Sequence, residues 1–247
     1  MFLPRSPSRQ SMRDLRGDPD LIIYLLQRTD FFNSRATLLE LGCGAGMNLN
    51  LIKRSCRAST YGIDENGGLL GQAGLNDISL RLPKTEFRQT PSTTIPFDNW
   101  FFDVALTIHT LQRYTIDERV KIFDEVRRVL RPGGLWLVVT YSAENLQQCP
   151  LTQYWPQVEQ IDLFRYPSLA EVVTSLEEVG FGEVYAENFT HTPLSIDELF
   201  FYAKNRGIEV LDLLDDQSFK EGLEMMRQHL GREVQFFFQS TIVWAEN

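Results

Sequence analysis

The chain has 247 residues, 43% hydrophobic and 23% charged, with 24 basic against 33 acidic side chains and a formal net charge of −9. This length accommodates one α/β domain with an insertion and a core large enough to need no staples. The acidic balance excludes a general nucleic-acid surface, which needs a basic field to meet phosphates. No apolar run approaches a membrane span, which takes roughly 18 residues. Cys43, Cys56 and Cys149 are scattered and odd in number, giving neither a disulfide framework nor a metal-ligand spacing; a reducing cytoplasm is expected.

Residues 1–17 carry Arg5, Arg9, Arg13 and Arg16 with no apolar stretch. They read as a flexible N-terminal arm, or as a segment that orders over a bound ligand, rather than a secretory signal. Residues 18–247 read as a single domain. An amphipathic helix is predicted from Asp20 to Phe32. Strands at 37–41, 59–63, 85–89, 102–108 and 134–141 then alternate with helices at 45–55, 66–75 and 116–130, which argues for a mostly parallel, doubly wound sheet with helices on both faces. Thr115 and Glu118 form a capping box, and Ile116, Val120, Phe123, Val126 and Leu130 follow at helical spacing. Arg131-Pro132-Gly133-Gly134 is expected to stop that helix.

A further helix runs from Ser168 to Gly180, a strand from Glu183 to Thr190, and the last strand from Val234 to Trp244. The gap between these two strands is too long for a hairpin. Its capping boxes at Ser195 to Glu198 and Ser218 to Glu221 predict a helical insertion over about 191–232, with Gly231 as the final C-cap. Residues 149–167, rich in Gln, Pro and aromatics, form a second insertion. Both are expected to roof a pocket. Phe200-Phe201-Tyr202 and Phe236-Phe237-Phe238 read as core, and His191 and His229 as solvated.

Chemistry is concentrated at Thr37-Leu38-Leu39-Glu40-Leu41-Gly42-Cys43-Gly44-Ala45-Gly46. An apolar run ends in an acid, and a glycine-rich turn follows where a strand passes into a helix, so backbone N–H groups can approach a ligand closely. Tyr61-Gly62-Ile63-Asp64 is a second apolar run ending in an acid, suited to accepting both hydroxyls of a ribose. A dinucleotide fingerprint needs G-x-G-x-x-G; Gly42, Gly44 and Gly46 give G-x-G-x-G.

That spacing, with Glu40 two residues ahead of the first glycine, resembles motif I of the class I S-adenosylmethionine (SAM) dependent methyltransferases. The resemblance extends through Ile95-Pro96-Phe97 and Phe102-Asp103 before the fourth strand, Leu130-Arg131-Pro132-Gly133-Gly134 before the fifth, and Leu176-Glu177-Glu178-Val179-Gly180-Phe181 before the sixth. It covers about residues 37–190 and is nearest to the small-molecule group called methyltransferase type 11. It implies a Rossmann-like methyltransferase fold with a seven-stranded sheet, SAM as cofactor and S-adenosylhomocysteine (SAH) as product. The implied cofactor contacts are Glu40, Gly42, Cys43, Gly44, Gly46, Asp64, Glu65, Ser92 and Thr107. The implied acceptor is a small molecule offering an O, N or C nucleophile.

Two positions depart from the family pattern. Glu65 stands where an apolar residue usually packs on adenine. Pro91 stands where an Asp usually accepts from the adenine amino group, which leaves Ser92 to hold that edge. After the fourth strand, Thr107-Ile108-His109-Thr110 differs from the Asn- or Asp-Pro-Pro-aromatic motif of many nucleic-acid amino-methyltransferases. His109 is a candidate general base, its ordinary pKa lying near ~6.5, or a packed residue capping the site floor. Tyr141 is the second candidate catalytic residue; with Tyr154 and Trp155 in the adjoining insertion it faces the sulfonium, lines an acceptor pocket, or packs in the core. Three alternatives remain open at this point: a SAM- or SAH-binding partner protein without methyl transfer, a protein or peptide methyltransferase, and a nicotinamide-dependent oxidoreductase, which the glycine spacing disfavours.

Overall fold

The computed structural model describes residues 17–80 and 84–247; the expected N-terminal arm, Gly17 apart, lies outside the described residues. Helix α1 (Pro19–Arg28) opens with Asp18 accepting from the Leu21 N–H and Pro19 in the first turn, where a missing N–H costs nothing. It ends ahead of the predicted Phe32 because Thr29 is already extended. Then β1 (Thr37–Leu41), α2 (Met47–Cys56), β2 (Ser59–Asp64), α3 (Gly67–Leu80), β3 (Glu86–Gln89) and β4 (Phe102–Ile108) alternate as predicted, followed by α4 (Ile116–Val129) and β5 (Leu130–Thr140). The Thr115–Glu118 capping box is present.

The chain continues through α5 (Ala143–Gln147), α6 (Gln157–Arg165), α7 (Leu169–Val179), β6 (Glu183–Thr190), β7 (Leu194–Ser195), α8 (Ile196–Lys204), α9 (Asp216–Arg227), β8 (Gln235–Phe236) and β9 (Gln239–Glu246). Seven strands make one sheet in the order β3-β2-β1-β4-β5-β9-β6. All its pairings are parallel except those of β9, which runs antiparallel between β5 and β6. The order reverses between β1 and β4, which puts the ligand crevice of such a sheet beyond the carboxyl ends of those two strands.

Helix α3 also runs on to Leu80, beyond the predicted 75, and four later boundaries differ from the sequence reading. Arg131–Gly134 lie within β5, not ahead of it: Gly133 has φ +73°, and the register with β4 shifts between Phe102 and Val104, so this segment is a bulged strand entry. Helix α9 is capped by Asp215, whose carboxylate accepts both the Ser218 N–H (2.8 Å) and the Ser218 hydroxyl (2.7 Å); the helix therefore starts three residues before the predicted Ser218 cap, and the serine hydroxyl is spent on Asp215. Gly231 is not that helix's C-cap, because α9 ends at Arg227 and Gly231 turns the chain afterwards with φ +73°. The last strand begins at Gln239 because Gln235–Phe236 pair instead with Leu194–Ser195.

Two apolar layers flank the sheet, one under α1 and α2, the other under α4 and α7. A third core joins the two insertions into one cap: Leu151, Trp155 and Val158 from the first pack on Leu199, Leu211, Phe219 and Met226 from the second. Trp155 is fully buried there and donates to the Ser218 carbonyl at 3.1 Å. Its indole lies so close to α9 that a Cβ on Gly222 would sit 2.1 Å from Nε1. Gly222→Ala is therefore expected to destabilise the protein by roughly 1–3 kcal/mol through overpacking, seen as a lowered midpoint in denaturant unfolding.

Candidate active site

Between β1 and α2 the chain turns through Gly42, Gly44 and Gly46 with φ of +65°, +53° and +72°. A Cβ at Gly42 would also meet Thr110 at 2.6 Å, so backbone sign and close approach both demand glycine there. Asp64, buried at the tip of β2, holds the loop. Its Oδ2 accepts the Gly44 N–H at 2.9 Å and its Oδ1 the Asn66 N–H at 2.8 Å. A carboxylate has about four lone-pair sites, so both oxygens retain capacity for ribose hydroxyls. Glu40 is fully buried near the end of β1 and accepts from Asn48 Nδ2 at 2.9 Å. Asn48 Oδ1 in turn accepts the Asp18 N–H at 2.9 Å.

Around the expected adenine edge, Tyr114 gathers the residues that depart from the family pattern. Its hydroxyl lies 2.9 Å from Glu65 Oε1 and 3.2 Å from Ser92 Oγ, and accepts the Ser92 N–H at 3.3 Å. Burial, the Ser92 contacts and the Glu65 charge leave the phenol at about 12, so it is protonated at neutral pH. Sequence reasoning missed Tyr114, since nothing in an isolated tyrosine after a short turn marks it. Two of the expected contacts face elsewhere. The Thr107 hydroxyl accepts from Trp136 Nε1 at 2.9 Å in the core behind the sheet, because its place in β4 points it to the α4 side. The Cys43 side chain packs in the layer under α1 and α2, against Gly62, leaving only its backbone in the loop.

His109 follows β4 with φ +45°, a left-handed conformation uncommon outside glycine and concentrated at functional sites. Its N–H is held by the Val139 carbonyl at 2.8 Å. The ring stacks on Tyr141 (4.3 Å between centroids, 27°), with Tyr166 edge-on at 6.2 Å. Beyond this trio, between the sheet and the cap, lies a cavity of about 510 Å³, within the usual size range for small ligands. Leu146, Leu151, Leu194, Leu199, Val210 and Phe238 supply apolar wall. Tyr141 lines the cavity, whereas Tyr154 and Trp155 belong to the cap core. Phe201 and Phe237 are exposed, and of the two aromatic triplets only Phe236 is fully in the core.

Four of the charged residues that line the cavity form one ion-pair network. Arg165 bridges Asp162 and Glu209 (2.9 Å each), and Arg113 reaches Glu209 at 3.4 Å. Burial would raise Glu209, but the two guanidiniums outweigh it and lower its pKa. Asp162 goes the other way: burial, opposed by Arg165 and reinforced by Glu209, lifts it from 3.8 to about 6. An acid raised on folding adds stability that is complete below its unfolded pKa and is lost as pH rises through its folded pKa. Unfolding free energy is therefore expected to fall between about pH 4 and 6 by on the order of 2–3 kcal/mol, and Asp162→Asn is expected to flatten that slope in pH-dependent denaturant titrations. Tyr141 and Tyr166 are both raised, burial first and nearby acids after it, so their hydroxyls are donors at neutral pH rather than bases.

His191 is not solvated. Its Nδ1 lies 3.1 Å from Asp18 Oδ2 and its Nε2 lies 2.7 Å from Ser240 Oγ. His229 is half-buried with Nδ1 3.2 Å from the Tyr154 hydroxyl.

A doubly wound sheet with one antiparallel strand between β5 and β6, a G-x-G-x-G loop and an acid at the tip of β2 defines a class I methyltransferase architecture. The comparisons agree. The family model described as "Methyltransferase domain" matches residues 39–138. Over 115 residues the chain is 36% identical to a phthiotriol/phenolphthiotriol dimycocerosates methyltransferase of Mycobacterium leprae (strain TN), spanning 45% of this chain and 40% of that protein. Across 99% of both chains it superposes, at a TM-score of 0.75 and 17% identity, on an Anabaena variabilis ATCC 29413 protein provisionally described as a methyltransferase from an antibiotic biosynthesis pathway. A geranyl diphosphate C-methyltransferase from Streptomyces coelicolor A3(2), solved with SAH, superposes at a TM-score of 0.56 with 16% identity, covering 92% of this chain and 79% of that one. Residues 39–138 thus resemble a methyltransferase domain, and the whole chain shares the fold of the class I methyltransferases. It spans about 40% of the length of the curated relative it matches.

Proposed function

We propose that the protein transfers a methyl group from SAM to a hydroxyl of a small, mainly apolar, uncharged acceptor enclosed in the capped cavity. One observation carries the reading: His109 lines the cavity while its neighbour Thr110 packs against Gly42 of the glycine loop, so acceptor space and cofactor loop meet at one residue pair. The residues present fit SAM. Asp64 and the glycine loop suit a ribose, and the buried Glu40 suits the ammonium of the methionine portion. Bound SAM supplies an electrophilic methyl on a sulfonium, a reaction helped chiefly by alignment in a dry site.

The chain's own residues do the rest. Asp64 orients the nucleoside, Glu65, Ser92 and Tyr114 meet the adenine edge in place of the missing acid, and the cap excludes water. His109 takes the hydroxyl proton as the acceptor oxygen gains the methyl group. Five carboxylates (Asp18, Asp20, Asp162, Glu198, Glu209) line the cavity against two guanidiniums, which disfavours an anionic acceptor.

The test is SAH release with a panel of medium-length alcohols and phenols beside the matched carboxylic acids. Turnover of the alcohols at least ten-fold above the acids supports the reading; preference for the acids overturns it. The Glu65–Tyr114–Ser92 cluster favours a second reading, a SAM- or SAH-binding partner protein, because it already fills hydrogen-bonding capacity at the adenine edge. SAH binding without release of SAH from SAM would select that reading.

A further inference from the structure

Four side chains from four separate elements form one continuous hydrogen-bonded line along the cavity wall. Asp18, the N-cap of α1, meets His191, which follows β6, at 3.1 Å (Oδ2 to Nδ1). His191 Nε2 lies 2.7 Å from the hydroxyl of Ser240 on β9, and that hydroxyl lies 3.3 Å from Nε2 of His109 at the end of β4. Ser240 is fully buried. No local pattern marks this line: its members are spread over 222 positions (240 − 18), and His191 reads as a surface residue.

The protons in this line are countable. An ionised carboxylate only accepts, so the proton between Asp18 and His191 sits on Nδ1 of His191. When His191 is neutral, its Nε2 must accept, and Ser240 donates to it. Ser240 has a single proton, so its oxygen then accepts from His109, whose proton is fixed on Nε2 and whose basic nitrogen is Nδ1. When His191 is protonated, the two bonds of Ser240 reverse while Nδ1–H still donates to Asp18: His191 Nε2–H donates to Ser240, Ser240 donates to His109 Nε2, and the His109 proton moves to Nδ1. Burial would raise the pKa of Asp18, but the hydrogen bond and charge of His191 outweigh it, so the acid stays ionised in both states.

We propose that Asp18, His191 and Ser240 are positioning residues that set the tautomer of His109, so that the protonation state of His191 selects which His109 nitrogen is basic. Tyr141 covers the His109 ring and its hydroxyl also hydrogen-bonds Ser240, while Tyr166 meets the ring edge. Both phenols are raised and keep their protons, so with Tyr141 donating to Ser240 the serine has one proton left to give to either histidine. Phe189 packs edge-on against His191. Asp20, Glu198 and the Asp162, Arg165, Glu209 and Arg113 cluster also line the cavity. Asp162 changes charge near pH 6, so Asp162→Asn serves as the background that removes its titration.

The test is long-range proton–nitrogen correlation NMR on imidazole-labelled protein, without any acceptor, with signals assigned by His109→Gln, His191→Gln and His229→Gln. The expected result is one shared transition: His109 carries its proton on Nε2 at high pH and on Nδ1 once His191 is protonated. Ser240→Ala is expected to abolish the switch and leave His109 and His191 titrating independently, Ser240→Thr to restore it, and Asp18→Asn to shift it to lower pH while keeping the helix cap. An unchanged His109 tautomer and pH response in a folded Ser240→Ala variant would overturn the proposal. A consequence for turnover, the acid limb of the rate profile following His191, rests on His109 being the base. A shared transition with no effect of His109→Gln on turnover would sink that base assignment and leave the coupling intact.

Discussion

Replacing Asp64 with alanine is expected to weaken SAH binding by about 100-fold or more while the protein stays folded. The side chain serves two functions at once. It accepts from Gly44 and Asn66 and so fixes the backbone of the glycine loop and the turn after β2, and under the proposed function its remaining lone pairs take the ribose hydroxyls. Hydrogen bonds to a charged group contribute roughly 1.5–3 kcal/mol each, and losing two from ligand plus the loop's anchor gives about 3 kcal/mol, a factor of about 100. Asp64→Asn keeps one acceptor oxygen and is expected to lose about ten-fold. Calorimetric titration with SAH measures both, with NAD as the control for nucleotide specificity. Equal SAH affinity in wild type and Asp64→Ala would place the nucleoside elsewhere.

The largest expected loss of stability comes from Lys53. Its ammonium is fully buried in α2 and meets Asp77 of α3, itself 5% exposed, at 2.5 Å. Asp77 also accepts the Thr85 N–H at 2.6 Å, so one ion pair ties together the cofactor helix, the next helix and the start of β3. Lys53→Ala strands a buried carboxylate, a change that costs about 3–5 kcal/mol. At about 2–4 °C per kcal/mol for a chain of this size, thermal unfolding is expected to move down by roughly 6–20 °C. The double variant Lys53→Met with Asp77→Asn removes the stranded charge and is expected to recover part of the loss. A shift of under 2 °C in Lys53→Ala would show that water reaches Asp77.

The sheet and most of its helices were legible in the sequence because hydrophobic period and caps act locally. Thr115 and Glu118 are three residues apart and define the start of α4 by themselves, and the glycine loop carries its own backbone requirement. What was not legible depends on partners distant in the chain. The Asp215 cap starts α9 one turn earlier than Ser218 would, because its carboxylate takes both the N–H and the hydroxyl of Ser218. The start of β9 depends on whether Gln235–Phe236 find Leu194–Ser195. Tyr114 enters the site only through contacts with Glu65 and Ser92, and His191 only through Asp18 and Ser240. Thr107 illustrates the opposite error: its place near the tip of β4 suggests the ligand side, but strand alternation turns it to Trp136. The two insertions read as separate roofs, yet Trp155 packed on Phe219 makes them one cap.

The measurement closest to the central claim follows the label from methyl-labelled SAM in the presence of neutral hydroxylated small molecules and, separately, of a protein extract. The account expects label in a small apolar acceptor, with one SAH released per methyl transferred and the yield lost in Asp64→Ala. Label passing only into polypeptide, or SAH bound tightly with none produced from SAM by any acceptor, would contradict it.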